Sequence, residues 1–209
     1  MSMFNKFAIV KRYTEEDETS NLSCGGNISY LALKPGETVL DLGCGRGTET
    51  LEAAKLVGPR GWAWGLDVTP KMIEVASGRA EEEKVENARF LVGSMEAISL
   101  EDVSVDAVLS NCAINHVEDK VAVYREIFRV LKPGGRFVIS DIMTDESLPE
   151  HISNDPEAVA ACFGGAITVE EYEQALTKAG FFRITVYKER RYYKNGYEMI
   201  SRTFSGQRP

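Results

Sequence analysis

Residues 37–47, which read Glu-Thr-Val-Leu-Asp-Leu-Gly-Cys-Gly-Arg-Gly, set the fold of this chain. Thr38–Leu42 is a short apolar run of strand-forming residues, and a helical pattern begins at Thr48. Glycines at alternate positions separate the strand from the helix: Gly43, Gly45 and Gly47. Glycine lets backbone amides approach a ligand closely, and the helix N-terminus behind it offers unpaired N–H groups to a polar or anionic ligand. The stretch therefore predicts a strand, a tight ligand-binding turn and a helix.

A second predicted strand, residues 61–67, ends in an acidic side chain. Asp67 lies about twenty residues beyond the glycine turn, the spacing at which a carboxylate meets ribose hydroxyls in doubly wound nucleotide-binding folds. A dinucleotide fingerprint needs a glycine where this chain has Thr48, so the G-x-G-x-G spacing indicates a different nucleoside cofactor. The alternative is an ordinary strand-to-helix turn that binds nothing.

Length and composition limit the class of protein. A chain of 209 residues fits one α/β domain, which we divide into an N-terminal cap segment, residues 1–36, and a cofactor-binding body, residues 37–209. The formal charge of −8 offers no basic surface for phosphates and argues against a nucleic-acid substrate. Because no apolar run approaches a membrane span and residues 1–11 lack the pattern of a secretory signal, we expect a soluble, cytoplasmic protein without a membrane partner.

The remaining chain alternates strands and helices. Residues 1–13 are weakly patterned and predict a loop or a short cap. Predicted helices cover residues 28–33, 48–57, 71–84, 120–131 and 168–179, with Thr69 and Thr168 as N-caps. Further predicted strands cover residues 88–92, 105–110, 136–140, 182–188 and 198–204, the last two joined around Asn195-Gly196. Lys132-Pro-Gly-Gly135 is expected to precede the strand at 136–140, with Asp141 as a solvated acid at its tip.

The glycine turn, with Asp41 two residues before its first glycine, resembles motif I of class I S-adenosylmethionine (SAM) methyltransferases. The resemblance implies a doubly wound, Rossmann-like α/β fold with a mostly parallel seven-stranded sheet and an antiparallel C-terminal hairpin strand, in the order 3-2-1-4-5-7-6. The residues alone support five βα units and a hairpin. SAM is the cofactor that the resemblance implies.

Residue by residue, the resemblance assigns SAM contacts to the glycine turn, to the strand ends and to a neighbouring helix. The three glycines and Cys44 are assigned to the methionyl side and Asp67 to the ribose, while Ser94 and Met95 lie beside adenine; serine replaces an acid that many relatives carry. Met72 either lines the ribose-adenine pocket or is a helix core residue. The full expected set is Asp41, Gly43, Cys44, Gly45, Gly47, Asp67, Met72, Ser94, Met95 and Asn111.

The methyl acceptor is predicted from the four cysteines. They include no close pair such as C-x-x-C, so a zinc motif is not indicated, and in the cytosol they are expected to be reduced. The stretches at 24–27, 111–115 and 162–166 resemble the cysteine motifs of arsenite methyltransferases, and the likeness extends over residues 22–180. Members of that family usually continue past this length with a C-terminal domain.

The resemblance implies that Cys24, Cys112 and Cys162 bind As(III), a soft, thiophilic species whose lone pair attacks the SAM methyl group without a general base. At each cysteine the alternative is a small buried hydrophobic side chain. No metal site is predicted apart from this metalloid site, and a thioredoxin- or glutathione-like thiol reductant is an expected partner.

Two other functions are compatible with the sequence. One is SAM-dependent methylation of a carbon, oxygen or nitrogen of a small organic acceptor, with His116 or Asp141 assisting; the other is a SAM- or metalloid-binding domain without turnover. For His116 we favour a packing or backbone-binding role, and His151 in the long connection carries no signal.

Overall fold

The computed structural model describes residues 3–15 and 26–209. Within them, seven strands form one sheet in the order β3-β2-β1-β4-β5-β7-β6. The strands are β1 (Thr38–Leu42), β2 (Trp62–Asp67), β3 (Ala88–Val92), β4 (Val105–Asn111), β5 (Leu131–Met143), β6 (Thr185–Lys194) and β7 (Tyr197–Gln207). β1 to β5 pair in parallel, whereas β7 pairs antiparallel with both β5 and β6. The sheet order and the antiparallel hairpin implied by the resemblance are confirmed.

Helices precede, connect and cover the strands. They are α1 (Met3–Glu15), α2 (Ile28–Leu31), α3 (Thr48–Val57), α4 (Pro70–Glu82), α5 (Lys120–Val130), α6 (Glu150–Ser153), α7 (Pro156–Ala160) and α8 (Val169–Ala179), with a 3-10 turn at Ile114–His116.

The central strands β1 and β4 are buried on both faces of the sheet, which is why their sequences are nearly unbroken apolar runs. On one face, Leu40 and Leu42 of β1 pack in a core with Tyr124 of α5 and Tyr172 of α8. On the other face, Val39 packs with residues of α3 and α4. This alternation along β1 holds the strand rigidly and fixes the position of the glycine turn that follows it.

Two predictions of helix ends have different outcomes. Thr168 and Glu171 form the predicted capping box, with the Glu171 N–H donating to Thr168 Oγ1 at 3.2 Å. Thr69 occupies the predicted N-cap position of α4, with Pro70 after it, but its side chain makes no capping hydrogen bond and its hydroxyl is buried without a described partner. Asp67 instead accepts the Thr69 N–H at 2.8 Å and ties down the turn before the helix.

β5 differs from its prediction at both ends. It begins at Leu131, which pairs with Val105 before the register shifts, so the Pro-Gly-Gly segment is an irregularity within the strand and not a turn before it. At its other end the strand continues to Met143, which places Asp141 inside the sheet, 1% exposed. The predicted solvated position of Asp141 was therefore wrong, because strand β7 and helix α8 cover the end of β5.

The segment predicted as a loop or short cap is helix α1. Its sequence mixes charged and apolar residues, and a helix of 13 residues is marginal alone, so tertiary contacts stabilise it. Ile9 is 2% exposed, and the Arg12 guanidinium donates to the Ala160 carbonyl at the end of α7. α1 therefore packs on α7, above the carboxyl edge of the sheet.

Candidate active site

A cavity opens at the carboxyl ends of β1, β2 and β4, the edge where doubly wound sheets bind ligands. Its walls come from the glycine turn, the ends of β2 and β3, the loop after β4, and α1. The lining residues are Ile9, Tyr13, Gly43, Gly45, Leu66, Asp67, Val68, Gly93, Ser94, Met95, Asn111, Cys112, Ala113, His116 and Val117.

The glycine turn is fixed to the neighbouring strand. The N–H groups of Gly43 and Cys44 both donate to the Leu66 carbonyl of β2, at 2.8 and 3.1 Å. Gly43 has φ +72°, and a Cβ there would lie 2.2 Å from the Ala113 Cβ. A Cβ on Gly45 would meet no atom within 4 Å, so the turn is open on the side that faces the cavity. This is the cradle that the spacing of the glycines predicts.

Asp67 joins the glycine turn to the end of β2. Its Oδ2 accepts the Gly45 N–H at 3.0 Å, and its Oδ1 accepts the Thr69 N–H at 2.8 Å. Burial raises the pKa of Asp67 above its usual value, while the backbone amides lower it. Asp67 also lines the cavity, where its carboxylate oxygens can accept from the hydroxyls of a ribose.

Ser94, which lines the cavity, is hydrogen-bonded to an acid, Glu96, that was not among the expected SAM contacts. Ser94 Oγ lies 3.2 Å from Glu96 Oε2 and accepts the Glu96 N–H at 3.3 Å. A serine followed two residues later by an acid is the local signal for this arrangement.

Four of the residues expected to contact SAM do not line the cavity but lie beneath it. Asp41 is 4% exposed and accepts the Thr50 hydroxyl at 2.6 Å. The Cys44 sulfur lies where a Cβ on Gly65 would come within 2.9 Å of it. Gly47 packs against Phe90 and Met72 is 3% exposed. These residues support the turn, and their direct contact with SAM stays a prediction.

Cys112 and Cys162 come from different loops and lie together. The Cys112 sulfur, the Cys162 sulfur and a carboxylate oxygen of Asp141 all lie within 4.8 Å of one another. The Cys162 thiol donates to the Cys112 carbonyl. Cys112 is disulfide-bonded, whereas Cys44 and Cys162 are free thiols. Cys24, the third predicted ligand, lies outside the described residues.

Both cysteines of the cluster have backbone conformations that are rare for a side chain. Cys112 has φ +53° and Cys162 has φ +71°, in the left-handed region that favours glycine. The Cys112 N–H donates to the Ser140 carbonyl of β5 at 2.8 Å, which anchors this conformation. Such strain is retained where the surrounding structure holds it, commonly at functional sites.

Glycines after Cys162 allow the two loops to touch. A Cβ on Gly165 would lie 1.7 Å from the Asn115 carbonyl oxygen, and one on Gly164 would lie 2.6 Å from the backbone of Ala158. No side chain fits at either position. The glycines that follow Cys162 in the sequence are thus what brings its loop against the loop after β4.

Asp141 is held by three donors. Its Oδ1 accepts the Ile142 N–H at 2.9 Å, and its Oδ2 accepts the Asn115 N–H at 3.1 Å and the Tyr172 hydroxyl at 3.0 Å. Burial raises the pKa of Asp141 to about 6, against the lowering effect of these bonds and of the Lys120 charge. The residue connects β5, α8 and the loop that carries Cys112.

His116 binds backbone, as favoured from the sequence, and also faces the cysteine cluster. Its Nδ1 lies 2.9 Å from the Val159 carbonyl of α7. Its Nε2 lies 3.1 Å from the Tyr13 hydroxyl and 3.5 Å from the Cys162 sulfur. Burial lowers the pKa of His116 to about 4, so the ring is neutral.

Helix α1 supplies cavity residues that the sequence analysis missed. Ile9 and Tyr13 both line the cavity. They are four residues apart, the spacing that puts two side chains on one face of a helix, and this spacing was the available signal.

Comparison with known proteins agrees with this geometry. A family model described as "Methyltransferase domain" matches residues 33–180. The arsenite methyltransferase of Halobacterium salinarum is 39% identical over 165 residues, covering 79% of this chain and 42% of that protein. The demethylmenaquinone methyltransferase of Lactococcus lactis is 42% identical over 103 residues, covering 49% of this chain and 41% of that protein. The chain thus spans less than half the length of these curated relatives.

Among solved structures, an arsenic(III) S-adenosylmethionine methyltransferase from Chlamydomonas reinhardtii superposes with a TM-score of 0.78 at 29% identity. The match covers 95% of this chain and 72% of that one.

The sheet and the cavity at its carboxyl edge are those of a class I SAM-dependent methyltransferase. The chain belongs to the methyltransferase domain family. Its cavity fits SAM, the cofactor of this class: the turn is open at Gly45, and Asp67 offers a carboxylate at the ribose position. Within the described part of the chain, no helix is both long and apolar enough to cross a lipid bilayer.

Proposed function

We propose that this chain methylates arsenic(III), or a related thiophilic species, while cysteine sulfurs hold it beside SAM. The observation that carries the proposal is the cluster of the Cys112 and Cys162 sulfurs with an Asp141 oxygen, all within 4.8 Å, next to a cavity that Cys112 also lines. The similarity to arsenite methyltransferases supports it.

The chemistry of the cluster suits a soft acceptor. Thiolates favour soft ions such as As(III), and sulfurs this close can bind one centre together. An arsenic(III) held by sulfur keeps a lone pair, so methyl transfer needs no base at that step. SAM supplies a methyl group on a positively charged sulfur. The residues of the chain then act by holding the acceptor in line and by excluding water.

Cys24 is proposed as the third ligand, on the resemblance of its motif and on its closeness in sequence to the anchored Asn27. The Asn27 amide donates to the Ser110 carbonyl at 2.6 Å, and the Asn27 N–H donates to Glu49 at 2.9 Å. The same Glu49 carboxylate accepts from the Asn111 side chain at 3.1 Å. Cys24 precedes Asn27 by three residues, which span about 10 Å at most. Asn27 is thus anchored at the end of β4, the strand that the Cys112 loop follows.

A thiol reductant is proposed as a partner. Cys112 is disulfide-bonded, and a sulfur in a disulfide is not a ligand for As(III). Thiol-disulfide exchange with a thioredoxin- or glutathione-like reductant would release it.

Methylation of an organic acceptor is the second candidate. The similarity to a demethylmenaquinone methyltransferase and the apolar cavity wall formed by Ile9, Met95 and Val117 favour it. In this case the cysteines are structural, and their replacement leaves methyl transfer intact.

The test is transfer of labelled methyl groups from SAM to arsenite in the presence of a thiol reductant. We expect methylated arsenic from the unmodified chain, and loss of at least about 100-fold in rate with Cys112→Ser or Cys162→Ser. Glu150→Gln, an exposed change in the same connection as Cys162, serves as the control. Arsenite binding that survives both serine variants would overturn the thiolate site, and SAM binding without transfer to any acceptor would indicate a binding domain.

A further inference from the structure

We propose that His116 is a catalytic residue that accepts the Cys162 thiol proton when that sulfur bonds to the acceptor, and passes the proton to the group that leaves. The inference rests on the proposed function, because it assigns a step in loading As(III) onto the cluster.

Hydrogen bonding fixes the tautomer of the imidazole. The Val159 carbonyl can only accept, so the His116 Nδ1 at 2.9 Å carries the proton. In a neutral ring Nε2 then has the lone pair. This nitrogen lies 3.1 Å from the Tyr13 hydroxyl and 3.5 Å from the Cys162 sulfur. The thiol donates to the Cys112 carbonyl in the structure, and rotation about its Cβ–Sγ bond turns the proton toward Nε2.

The surroundings keep the ring neutral before the step. His116 is 8% exposed, and burial together with the charges of Arg12 and Lys120 lowers its pKa. Burial and the Asp141 charge raise the pKa of the Cys162 thiol, so the sulfur is protonated until it reacts. A proton therefore has to leave Cys162 as the bond to arsenic forms.

Asp141 is the other base in the cluster, and three of its acceptor positions are already occupied. Its oxygens accept from the Ile142 and Asn115 amides and from the Tyr172 hydroxyl. The imidazole is instead approached by two groups that can donate, the Cys162 thiol and the Tyr13 hydroxyl. Tyr13 also packs edge-on against the ring, with centroids 5.6 Å apart, and so holds its orientation.

The step balances without an oxidant or reductant. In arsenous acid one As–O bond breaks and one S–As bond forms. The thiol proton moves to His116 Nε2 and then to the departing hydroxide, which leaves as water. Arsenic and sulfur keep their oxidation states, and the imidazole returns to its starting form.

The test measures sulfur reactivity separately from methyl transfer. Fully reduced protein without SAM is mixed with arsenite, and the As–thiolate absorbance is followed by stopped flow. His116→Leu and His116→Asn are both compared with the unmodified chain, since asparagine keeps a donor for the Val159 carbonyl but is not a base. We expect both variants to bind arsenite at least about 100-fold more slowly, the lower end of the range for general-base catalysis. Added imidazole should restore the rate in His116→Ala, which a purely structural role would not allow. His151→Leu changes the exposed histidine and is the matched control.

A second measurement distinguishes failure of this inference from failure of the proposed function. Alkylation by iodoacetamide is followed at Cys162 by peptide mass spectrometry, with Cys44 as an internal reference that His116 does not contact. If the unmodified chain binds no arsenite while His116→Leu slows alkylation at Cys162 alone, the arsenic proposal fails and the role of His116 stands. Unchanged rates of both reactions in the His116 variants would overturn the inference.

Discussion

Gly165 illustrates how one missing side chain assembles the cysteine cluster. Its α-carbon faces the Asn115 carbonyl oxygen so closely that a Cβ would lie 1.7 Å from it. Because the clash is with backbone, neither partner can rotate away, and the Cys162 loop would have to move from the loop after β4.

We therefore predict that Gly165→Ala lowers the free energy of unfolding by about 1–3 kcal/mol, the usual cost of overpacking, and weakens arsenite binding. The measurements are denaturant unfolding and calorimetry. Gly78→Ala is the matched control: a Cβ there meets nothing within 4 Å, and in helix α4 alanine should stabilise by up to about 1 kcal/mol. Equal effects of the two substitutions would contradict this account of the loop contact.

We predict that Asp67 recognises the ribose of SAM. Asp67→Asn replaces a carboxylate by a neutral amide with one acceptor oxygen, while the Gly45 and Thr69 amides continue to point at it. Hydrogen bonds to a charged group contribute about 1.5–3 kcal/mol, so we expect the Kd for SAM to rise at least about tenfold. Calorimetry with SAM measures it, and Asp102→Asn, at a side chain 72% exposed, gives the baseline. An unaltered affinity would remove Asp67 from the cofactor site.

Some of these residues could be assigned from sequence and others could not. Asp67 and Gly45 follow strands by fixed spacing, so local pattern alone places them at the sheet edge. Asp141 was misjudged because its burial depends on Tyr172, a residue 31 positions away. The contact between His116 and Cys162 spans 46 positions and has no local signature at all.

Among the elements, α1 was missed and the C-terminal hairpin was found. The hairpin carries its own signal, since Asn195 and Gly196 both take positive φ in the two-residue turn between β6 and β7. The sequence of α1 gives little local indication of a helix, because contacts with α7 stabilise it and its residues Ile9 and Tyr13 form part of the cavity wall. Segments fixed by distant contacts are the ones that reading by local pattern does not detect.

Helix α1 should control access to the cavity through one buried side chain. Ile9→Ala removes a side chain that is 2% exposed, and large-to-small core changes cost about 2–5 kcal/mol. We expect α1 to detach more readily, with faster proteolysis after its lysines and a several-fold higher Kd for SAM. Phe7→Ala on the same helix is the control, because Phe7 is 72% exposed. Identical proteolysis of the two variants would show that α1 is held in some other way.

At the scale of the whole molecule, the order of the strands was predicted from the family resemblance. The convergence of the cysteines depends on tertiary packing. The alternating elements predict a doubly wound sheet, but five βα units are compatible with several strand orders. The cluster at Cys112 and Cys162 needs the completed sheet, since β5, α7 and α8 each supply a contact to it. Motif similarity anticipated the cluster; spacing by itself did not.

Asp41 should make global stability depend on pH. Burial raises its pKa from 3.8 to about 8, so between these values the folded carboxyl keeps a proton that the unfolded chain has lost. Unfolding then releases that proton, and the free energy of unfolding falls as pH rises through this window, by up to about 1.4 kcal/mol per pH unit.

Asp41→Asn, still able to accept from Thr50, should reduce this dependence on pH and raise the melting temperature most near pH 8. The exposed Glu52→Gln is the reference for thermal unfolding across pH. Parallel curves for Asp41→Asn and the unmodified chain would show that Asp41 is ionised in the fold.

The left-handed backbone conformation at Cys112 and Cys162 is strained for a residue that has a side chain. For the backbone conformation alone, glycine would be more stable than cysteine at both positions by roughly 1 kcal/mol each. At Cys112 the loss of a disulfide outweighs this gain under oxidising conditions. A search for thermostable variants in the presence of a reductant, where Cys112 forms no disulfide, should therefore tend to replace these two cysteines first. The most stable variants would then lack the sulfur cluster.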